Sequence, residues 1–547
     1  MPQPNPAPSP TPPSWPHCGE GAGPANPFGC RGIHVTGHTV CLAHLADGER
    51  ASYFAGLTPG IDIDHRGTTF TEPLLNNLLD AVIDPTTGHP RLGRAQFDSA
   101  TFEGHACFEF AAFARRAGFE SATFESGAGF SGATFTGDAE FRSATFKTDA
   151  LFDAAMFAGA AGFEATTVAG DAHFSWATFE KAATVGPLVC AGRIRVSGAA
   201  FGGPVTLVVA ARWLECRRTR WSATAEIRLR YATVDFAHVV FEYPLTISAE
   251  PDPFVFTRGE QVAETALTAA PDPTVRLASL RGVDAAHVVL SDVDLSGCLL
   301  AGTVHLDQLR LEGACTFDTA PSTTQWRRWP PLRFTERRVL AEEHHWRASQ
   351  PGAIPGWNPA VLGAGRAGPL QLAPVYRALR KGFEDGKHER GAADFYYGEM
   401  EMRRHASDIP RSERSLLTAY WALSGYGLRA SRALAWLGAA MLLTILLLMA
   451  VCLPGYAPKQ TATGTVPAGG GKVTFEIGKV DPRDPTGQRL TGERFDKALN
   501  VTLNSVVFRS GDQELTTAGT YIEMASRVTE PVLLGFALLA VRNRVKR

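Results

Sequence analysis

An Ala-x-Phe triplet recurs through the first third of the chain, and its spacing restricts the fold more than any other feature of the sequence. Its central residues lie alternately five and six residues apart, which makes an eleven-residue double repeat. Neither the helical period of about 3.6 residues nor the strand period of about two fits this spacing. A unit longer than a turn and shorter than a hairpin must therefore repeat. The centres are Phe97, Phe102, Phe108, Phe113, Phe119, Phe124, Phe130, Phe135, Phe141, Phe146, Phe152, Phe157, Phe163, Val168, Phe174 and Phe179.

One side of a four-sided coil has the required length. Ala stands two residues before every centre except Val168, where Thr166 takes its place. A ring pointing inward at the middle of each side, with a small residue near the corner, lets successive coils stack ring over ring at about 4.8 Å. The pattern predicts a mainly β solenoid of about 22 residues per coil, in which the extra residue of every second unit forms a bulged corner.

These units resemble the pentapeptide repeat family, whose members carry a small residue two positions before a central Leu or Phe. The resemblance implies a right-handed quadrilateral β-helix. A second run with aliphatic centres predicts that the same solenoid continues after a Pro-rich excursion at residues 251–273. Its centres are Leu280, Leu290, Leu295, Leu300, Leu306 and Leu311.

The charge distribution limits the classes of macromolecule that the chain could bind. The whole chain has 547 residues and a formal net charge of −2, so it lacks the basic footprint of a nucleic-acid-binding protein. Residues 95–180 carry twelve acidic and four basic side chains, a net charge of eight negative. We expect an acidic solenoid surface that binds a protein partner. Imitation of DNA by an acidic rod, which the resemblance also implies for some family members, is the alternative.

Four potential metal ligands lie close together near the start of the chain, in the pattern Cys18-x11-Cys30-x10-Cys41-x2-His44. Three thiolates and an imidazole could close a tetrahedral structural zinc site. Ordinary reduced thiols are the alternative, and His17 could replace one ligand. Nine cysteines in the chain are too few for a disulfide scaffold. The Pro-rich start has no apolar signal segment, so we expect this part of the chain in the cytoplasm.

Residues 433–453 contain no charge and are long enough to cross a bilayer. Six arginines precede them between residues 403 and 432, which predicts a cytoplasmic N-terminal side. A second apolar run at residues 532–541 is followed by Arg542, Arg544, Lys546 and Arg547. The sequence therefore predicts a membrane protein with two spans and with both termini in the cytoplasm.

Glu523, Arg527 and Glu530 lie in the helical extension of the second span and share one helix face. Charges inside a span usually face a bundle interior or water. A short amphipathic helix around residues 495–507 precedes them. Residues 415–547 thus resemble the topology of a two-transmembrane, potassium-channel-like module, although nothing after Phe508 supplies the usual carbonyl filter.

Two functions remain open at this stage. The first is a membrane-anchored interaction scaffold that presents the acidic β-helix to a protein partner in the cytoplasm. The second is a homo-oligomeric, channel-like pore in which the β-helix acts as a cytoplasmic sensor. No local catalytic motif occurs, so we expect no enzyme and no cofactor apart from zinc. Because the chain lacks a basic footprint, we also expect no nucleic-acid partner.

The predicted domain organisation follows the chain. It comprises a disordered tail (1–16), a Cys/His module (17–50), a mixed cap segment (51–94), the repeats (95–180), a degenerate continuation (181–316), a helix and Gly/Pro linker (317–372), an amphipathic helical pair (373–406), a juxtamembrane segment with the first span (410–456), an extracytoplasmic loop (457–494), and a short helix with the second span (495–547).

Overall fold

The computed structural model divides into two compact units, Met1–Phe395 and Tyr396–Arg547, which are described separately. Residues 1–11 of the predicted disordered tail and Phe508 lie outside the described residues, as do parts of the Pro-rich excursion, the Gly/Pro linker and the predicted extracytoplasmic loop. The structure describes residues 12–24, 26–181, 184–255, 261, 263–267, 272–321, 336–358, 365, 367–453, 460–464, 469–470, 472–473, 475–479, 487, 489–507 and 515–545.

The first unit begins with the Cys/His module and two short helices. A 3₁₀ turn covers Leu42–His44, α1 covers Asp47–Ala55 and α2 covers Glu72–Asp80. Helix α2 buries four leucines at residues 74, 75, 78 and 79. It is inserted within the first coil, because Ile63, which precedes the helix, pairs directly with Ala95, which follows it.

Very short parallel strands build the N-terminal coils, and each lies beside the equivalent strand of the next coil; Ala95 pairs with Ala117 and Phe102 with Phe124. The predicted coil length is confirmed. The strands are Ile63–Asp64, Thr69–Phe70, Arg91–Leu92, Ala95–Gln96, Thr101–Phe102, Ala106–Cys107, Ala112–Phe113, Ala117–Gly118, Thr123–Phe124, Ala128–Gly129, Thr134–Phe135, Ala139–Glu140, Thr145–Phe146, Ala150–Leu151, Met156–Phe157, Ala161–Gly162, Thr167–Val168, Ala172–His173 and Thr178–Phe179.

Stacked phenylalanine rings fill the interior of these coils. Every repeat centre from Phe97 to Phe179 is at most 4% exposed. The ring of Phe124 lies 4.8 Å from that of Phe102 and 4.6 Å from that of Phe146, with nearly parallel planes. This spacing equals the distance between neighbouring strands, so the same coil-to-coil distance suits both backbone pairing and ring stacking. The predicted β-solenoid fold is confirmed, with about ten turns.

The unequal spacing of the repeats has its cause at the corners. Each five-residue corner is a tight turn, such as the one in which the Ala100 amide donates to the Phe97 carbonyl at 3.0 Å. Its third residue takes a positive φ, as in Ser99 at +58°. A six-residue corner contains one residue more, and this extra residue lets the backbone turn without a left-handed conformation. Positive φ therefore recurs with the double repeat, at Ser99, Phe110, Ser121, Gly132, Ser143, Ala154, Ala165 and Trp176.

The C-terminal coils are longer-stranded and more tightly wound. Val205 pairs with Ala225 and Arg220 with Val240, so the coils between these residues use fewer residues than an N-terminal coil. Trp221 replaces phenylalanine in the ring stack and lies 4.1 Å from Phe201. The strands are Thr184–Arg195, Ala200–Phe201, Val205–Glu215, Arg220–Trp221, Ala225–Arg230, Thr233–Asp235, Val240–Phe241, Leu245–Ala249, Arg276–Ser279, Val288–Ser291 and Arg310–Glu312.

Helix α3 (Ala341–Ala348) closes the last coils, and its acidic start is buried. Glu342 Oε1 accepts the Leu300 and Ala301 amides at 2.7 and 2.8 Å. The Glu342 carboxylate is therefore buried rather than solvated, because the open end of the solenoid needs hydrogen-bond acceptors for its backbone. A two-stranded antiparallel ladder, Asp318–Thr319 with Arg338–Val339, precedes α3, and α4 (Pro369–Asp385) follows it.

The division between the units falls within α5 (Glu389–His405). The second unit continues with α6 (Arg411–Ser424), α7 (Ala430–Leu447) and a π-helical extension of α7, Leu448–Cys452. A hairpin of Gln460–Thr463 and Glu476–Lys479 comes next, followed by α8 (Gly492–Val506) and α9 (Thr517–Val545). Thr444 contacts Glu530, and the Thr516 amide donates to the Cys452 carbonyl, so α7 and α9 run antiparallel.

Candidate metal centre and candidate membrane helices

The Cys/His module is built onto the first coil of the solenoid. The Ile33 amide donates to the Arg66 carbonyl at 2.8 Å, and the Cys18 amide donates to the Gly32 carbonyl at 2.9 Å. The Trp15 indole donates to the Arg31 carbonyl, and its ring lies 5.1 Å from the Arg66 guanidinium. The segments that carry the cysteines are thus held by the backbone of the coil.

The ligand atoms of Cys18, Cys30, Cys41 and His44 all lie within 4.8 Å of one another. The Cys30 and Cys41 sulfurs are 3.7 Å apart. His44 Nδ1 lies 3.5 Å from the Cys18 sulfur and 3.4 Å from the Cys41 sulfur. Four ligands arranged tetrahedrally about zinc, with Zn–S bonds of about 2.3 Å, would place their atoms roughly 3.5–3.8 Å apart. The cluster therefore has a size and composition that could hold a metal ion.

Local sequence explains why the cluster can form. Cys41 directly precedes the Leu42–His44 turn, which brings His44 back beside it. A Cβ on Gly32 would lie 2.6 Å from the Cys41 Cβ, so only glycine leaves room for this thiol. The hydrogen bond from Cys41 lowers the pKa of Cys30 to about 5, which favours its thiolate. His17 is outside the cluster, and its carbonyl oxygen bonds the His34 ring instead.

Two helical segments are long and apolar enough to cross a membrane, at 430–452 and 517–542. Most of their large apolar side chains point away from the rest of the unit. Leu442 and Leu443 are each 58% exposed, and Val528 is 67% exposed. Aliphatic surface of this kind is unfavourable in water and favourable in lipid.

The three ionisable residues of the second segment have different surroundings. Arg527 pairs with Glu523 at 2.6 Å, and both are half-buried. Glu530 is fully buried, and its Oε1 accepts the Thr444 hydroxyl at 2.9 Å. One chain thus brings Glu523 and Arg527 together and places Glu530 between the two long helices.

Helix α8 packs against both long helices, but through a different face from the one its largest residues suggest. Ala498, Val501, Thr502 and Ser505 are buried, whereas Phe495 and Leu503 are exposed. Small side chains allow close approach of helix backbones, which explains the choice of face. Arg494 at the start of α8 donates to the Met449 and Leu453 carbonyls at 3.0 and 2.7 Å and so caps the end of α7.

The acidic residues of the repeats have a partly structural role that sequence reasoning missed. Asp138 Oδ1 accepts the Ala160 amide, and Asp149 Oδ1 accepts the Asp171 amide, at 2.9 and 2.7 Å. The same link between neighbouring coils joins Asp153 to Ser175. These carboxylates tie successive coils together. Their recurrence at the coil period is the signal that could have found them.

Sequence reasoning also missed a basic stretch in the more tightly wound coils. Residues 193–230 contain eight arginines and two glutamates, opposite in sign to residues 95–180. Trp176, which has φ of +61° and is 67% exposed, lies at the edge of this region. Counting charge along the whole solenoid, rather than over the phenylalanine repeats alone, could have shown it.

Residues 97–145 match the family model described as pentapeptide repeats (9 copies). A search of the curated proteins and a search of the solved structures each found no match. The chain therefore carries pentapeptide repeats folded as a β-solenoid. The family match covers part of the predicted repeat segment and none of the helices.

Proposed function

We propose that this protein is a membrane-anchored pentapeptide-repeat scaffold that presents a rigid acidic β-helix to a protein partner in the cytoplasm. The proposal depends on the pair of antiparallel helices α7 and α9, whose exposed side chains are mostly aliphatic. These helices follow a solenoid in the same chain. The solenoid supplies a stiff surface, because every inward ring is held by its neighbours above and below.

The flanking charges support the proposed orientation. Arg429 and Arg432 lie at the start of α7, and Arg542 lies near the end of α9. Because α7 and α9 are antiparallel, these arginines belong to the same end of the pair. Positive charge is concentrated on the cytoplasmic side of membrane proteins, so both chain termini would lie in the cytoplasm.

The acidic surface supports a basic protein partner. Glu103 and Glu109 are exposed on successive sides of one coil and have no ion-pair partner among the described residues. Opposite charge accelerates encounter and selects among partners more than it adds affinity. Purification of the tagged full-length protein from native membranes, followed by identification of bound proteins, tests this role. A partner retained by wild type and lost from the double variant Glu103→Lys/Glu109→Lys supports it, and identical sets of bound proteins contradict it.

Membrane anchoring has its own test. The full-length chain should stay with vesicles after extraction at alkaline pH and should float with them in a density gradient. Release into the soluble fraction would contradict the anchor. Solenoid–partner contacts could survive that result, so the two halves of the proposal fail separately.

We propose further that Cys18, Cys30, Cys41 and His44 hold a structural zinc ion that ties the first coil to the N-terminal segment. All four side chains would be ligands, which leaves no open position for a substrate. Metal analysis of freshly purified, reduced protein should find about one zinc per chain in wild type and much less in Cys41→Ser. The variant Cys107→Ser, which changes a thiol on the repeats, is the matched control.

A conducting pore is the second candidate, because a carboxylate buried between the long helices often marks an ion or proton pathway. Glu530 is that group, with Thr444 as its partner. Ion flux through liposomes containing the full-length chain, lost in Glu530→Gln, would favour the pore. Absence of flux from correctly inserted protein would leave the anchor.

A further inference from the structure

A groove on the C-terminal half of the solenoid carries charge of the opposite sign to the repeats. It has a volume of about 840 Å³ and is lined by Trp176, Arg193, Trp213, Arg217, Arg218 and His238, among others. This volume lies within the range of about 300–1,000 Å³ that is usual for ligand sites. Apart from Trp176, which lies in the last part of the acidic repeats, the lining residues of the groove come from the later coils.

Ion pairs neutralise most of the nearby arginines, but not all of them. Within residues 193–230, five of the eight arginines pair with acidic side chains of neighbouring coils or of the excursion: Arg195, Arg217, Arg220, Arg228 and Arg230. Arg193, Arg212 and Arg218 have no acidic partner among the described residues. Two of these three, Arg193 and Arg218, line the groove.

Two tryptophans accompany these free cations. The Arg193 guanidinium lies 5.5 Å from the centre of the Trp213 ring, a cation–π contact that holds it over the groove. The Trp176 ring occupies the space above Gly198, where a Cβ would lie 2.6 Å from the ring. Trp176 also adopts a positive φ, which disfavours a bulky residue. This φ is the one that every five-residue corner adopts, so it belongs to the fold; the feature of Trp176 that points to binding is its large exposed ring in the groove.

The groove is elongated along the solenoid axis. Trp176, Gly198, Arg218, His238 and Arg281 follow one another on successive coils, as the strand pairings and backbone hydrogen bonds show. Four steps of about 4.8 Å span roughly 19 Å, the length of about six residues of extended chain. Tryptophan and arginine are also the residues that most often dominate the energy of protein interfaces.

The acidic residues of the groove distinguish among polyanions. Glu215 and Asp235 lie among the arginines, and Arg217 bonds Asp235 at 2.7 Å. The positive charge is therefore confined to separate points, unlike the continuous basic stripe that follows a phosphate backbone. Isolated carboxylates spaced along a peptide fit this distribution better than closely spaced phosphates do.

We infer that this groove binds an extended acidic segment of a protein partner, with Arg193 and Arg218 pairing its carboxylates and Trp176 packing on its apolar side chains. The inference goes beyond the proposed function, because it concerns a second surface of opposite charge and holds whether or not the chain is anchored in a membrane.

Fluorescence anisotropy with the full-length protein in nanodiscs of zwitterionic lipid tests the inference. The probe is a fluorescein-labelled hexapeptide of alternating glutamate and leucine. Saturable binding to wild type is expected, and Arg218→Glu should weaken it at least tenfold. Arg212→Glu, which reverses the charge of an unpaired arginine outside the groove, should change the affinity less than twofold. A hexapeptide with lysine in place of glutamate should not bind.

A second variant separates binding from folding. Trp176→Gly removes the ring and relieves the positive φ, so it should leave the unfolding temperature unchanged or raise it while weakening the peptide at least fivefold. Equal effects of Arg218→Glu and Arg212→Glu, or no saturable binding to wild type, would overturn the inference. So would tighter binding of six-nucleotide single-stranded DNA that Arg218→Glu abolishes, because the site would then belong to nucleic acid.

Discussion

At the residue scale, the stacked phenylalanines set the stability of the solenoid. Phe124 is fully buried and stacks between Phe102 and Phe146. Phe110, the exception to the repeat register, is 54% exposed and lies at a corner with φ of +55°. Two phenylalanines of one repeat segment therefore have opposite surroundings.

This contrast gives a matched pair of substitutions. Phe124→Ala should lower the free energy of unfolding by about 3–5 kcal/mol, because the cavity would interrupt a column of rings. Phe110→Ala should lower it by about 1 kcal/mol at most. Urea unfolding followed by circular dichroism of the β signal measures both changes. Similar losses in the two variants would contradict the inward placement of the ring column.

A second residue-scale prediction concerns the metal cluster. Gly32→Ala would place a methyl group against the Cys41 side chain and should leave the purified protein with much less than one zinc per chain. Gly48→Ala is the control, because it lies in α1 with open space around its Cα and alanine favours helices. Full zinc content in Gly32→Ala would show that the cluster is not the metal site.

At the element scale, α3 decides how the C-terminal end of the solenoid is closed. Glu343 is fully buried, and its carboxylate binds Arg337 and Arg347, each at 2.6 Å. The Tyr376 hydroxyl of α4 donates to the same carboxylate. Burial alone would raise the pKa of Glu343, but the two arginines lower it to about 2. Helices α3 and α4 are thus joined by one charged network.

The depressed pKa has a consequence for stability. A carboxyl with a pKa of about 4.3 when unfolded and about 2 when folded stabilises the fold above pH 4.3 and loses that effect as the pH falls towards 2. Glu343→Gln should lower the unfolding temperature at pH 7 and flatten its decline between pH 4.5 and 2, because the titrating group is gone. Glu384→Gln, on the exposed side of α4, should leave the wild-type profile unchanged. An unaltered profile in Glu343→Gln would argue against the network.

At the scale of the whole molecule, the antiparallel pairing of α7 and α9 allows the proposed topology to be tested directly. Thr461 lies in the hairpin that follows α7, and Ser415 lies in α6, which precedes it. Both are exposed. In sealed right-side-out vesicles, a membrane-impermeant maleimide should label Thr461→Cys above the wild-type background. Ser415→Cys should react only after the vesicles are opened. The reverse pattern would invert the proposed orientation.

The sequence predicted those features that are repeated or contiguous along the chain. The phenylalanine register required a four-sided coil with one ring on each side, because only that period places every ring inside. Apolar runs of sufficient length predicted the two long helices, because the length and hydropathy of a helix can be read from contiguous residues. The candidate metal ligands Cys18, Cys30, Cys41 and His44 were also chosen from the sequence, by residue type and spacing, although their mutual distances depend on the folded first coil.

Tertiary structure decided everything that depends on contacts between distant segments. From the sequence alone, Glu342 and Glu343 would be placed at a solvated helix start. In the structure the end of the solenoid provides amides for Glu342 and an arginine for Glu343. Side chains on adjacent coils determine which arginines of residues 193–230 have an acidic partner. These side chains are close in space but separated by a full coil of sequence. A periodic pattern encodes which side of the chain is buried, because burial repeats with every coil. The pairing of charges does not repeat, so only the stacked coils determine it.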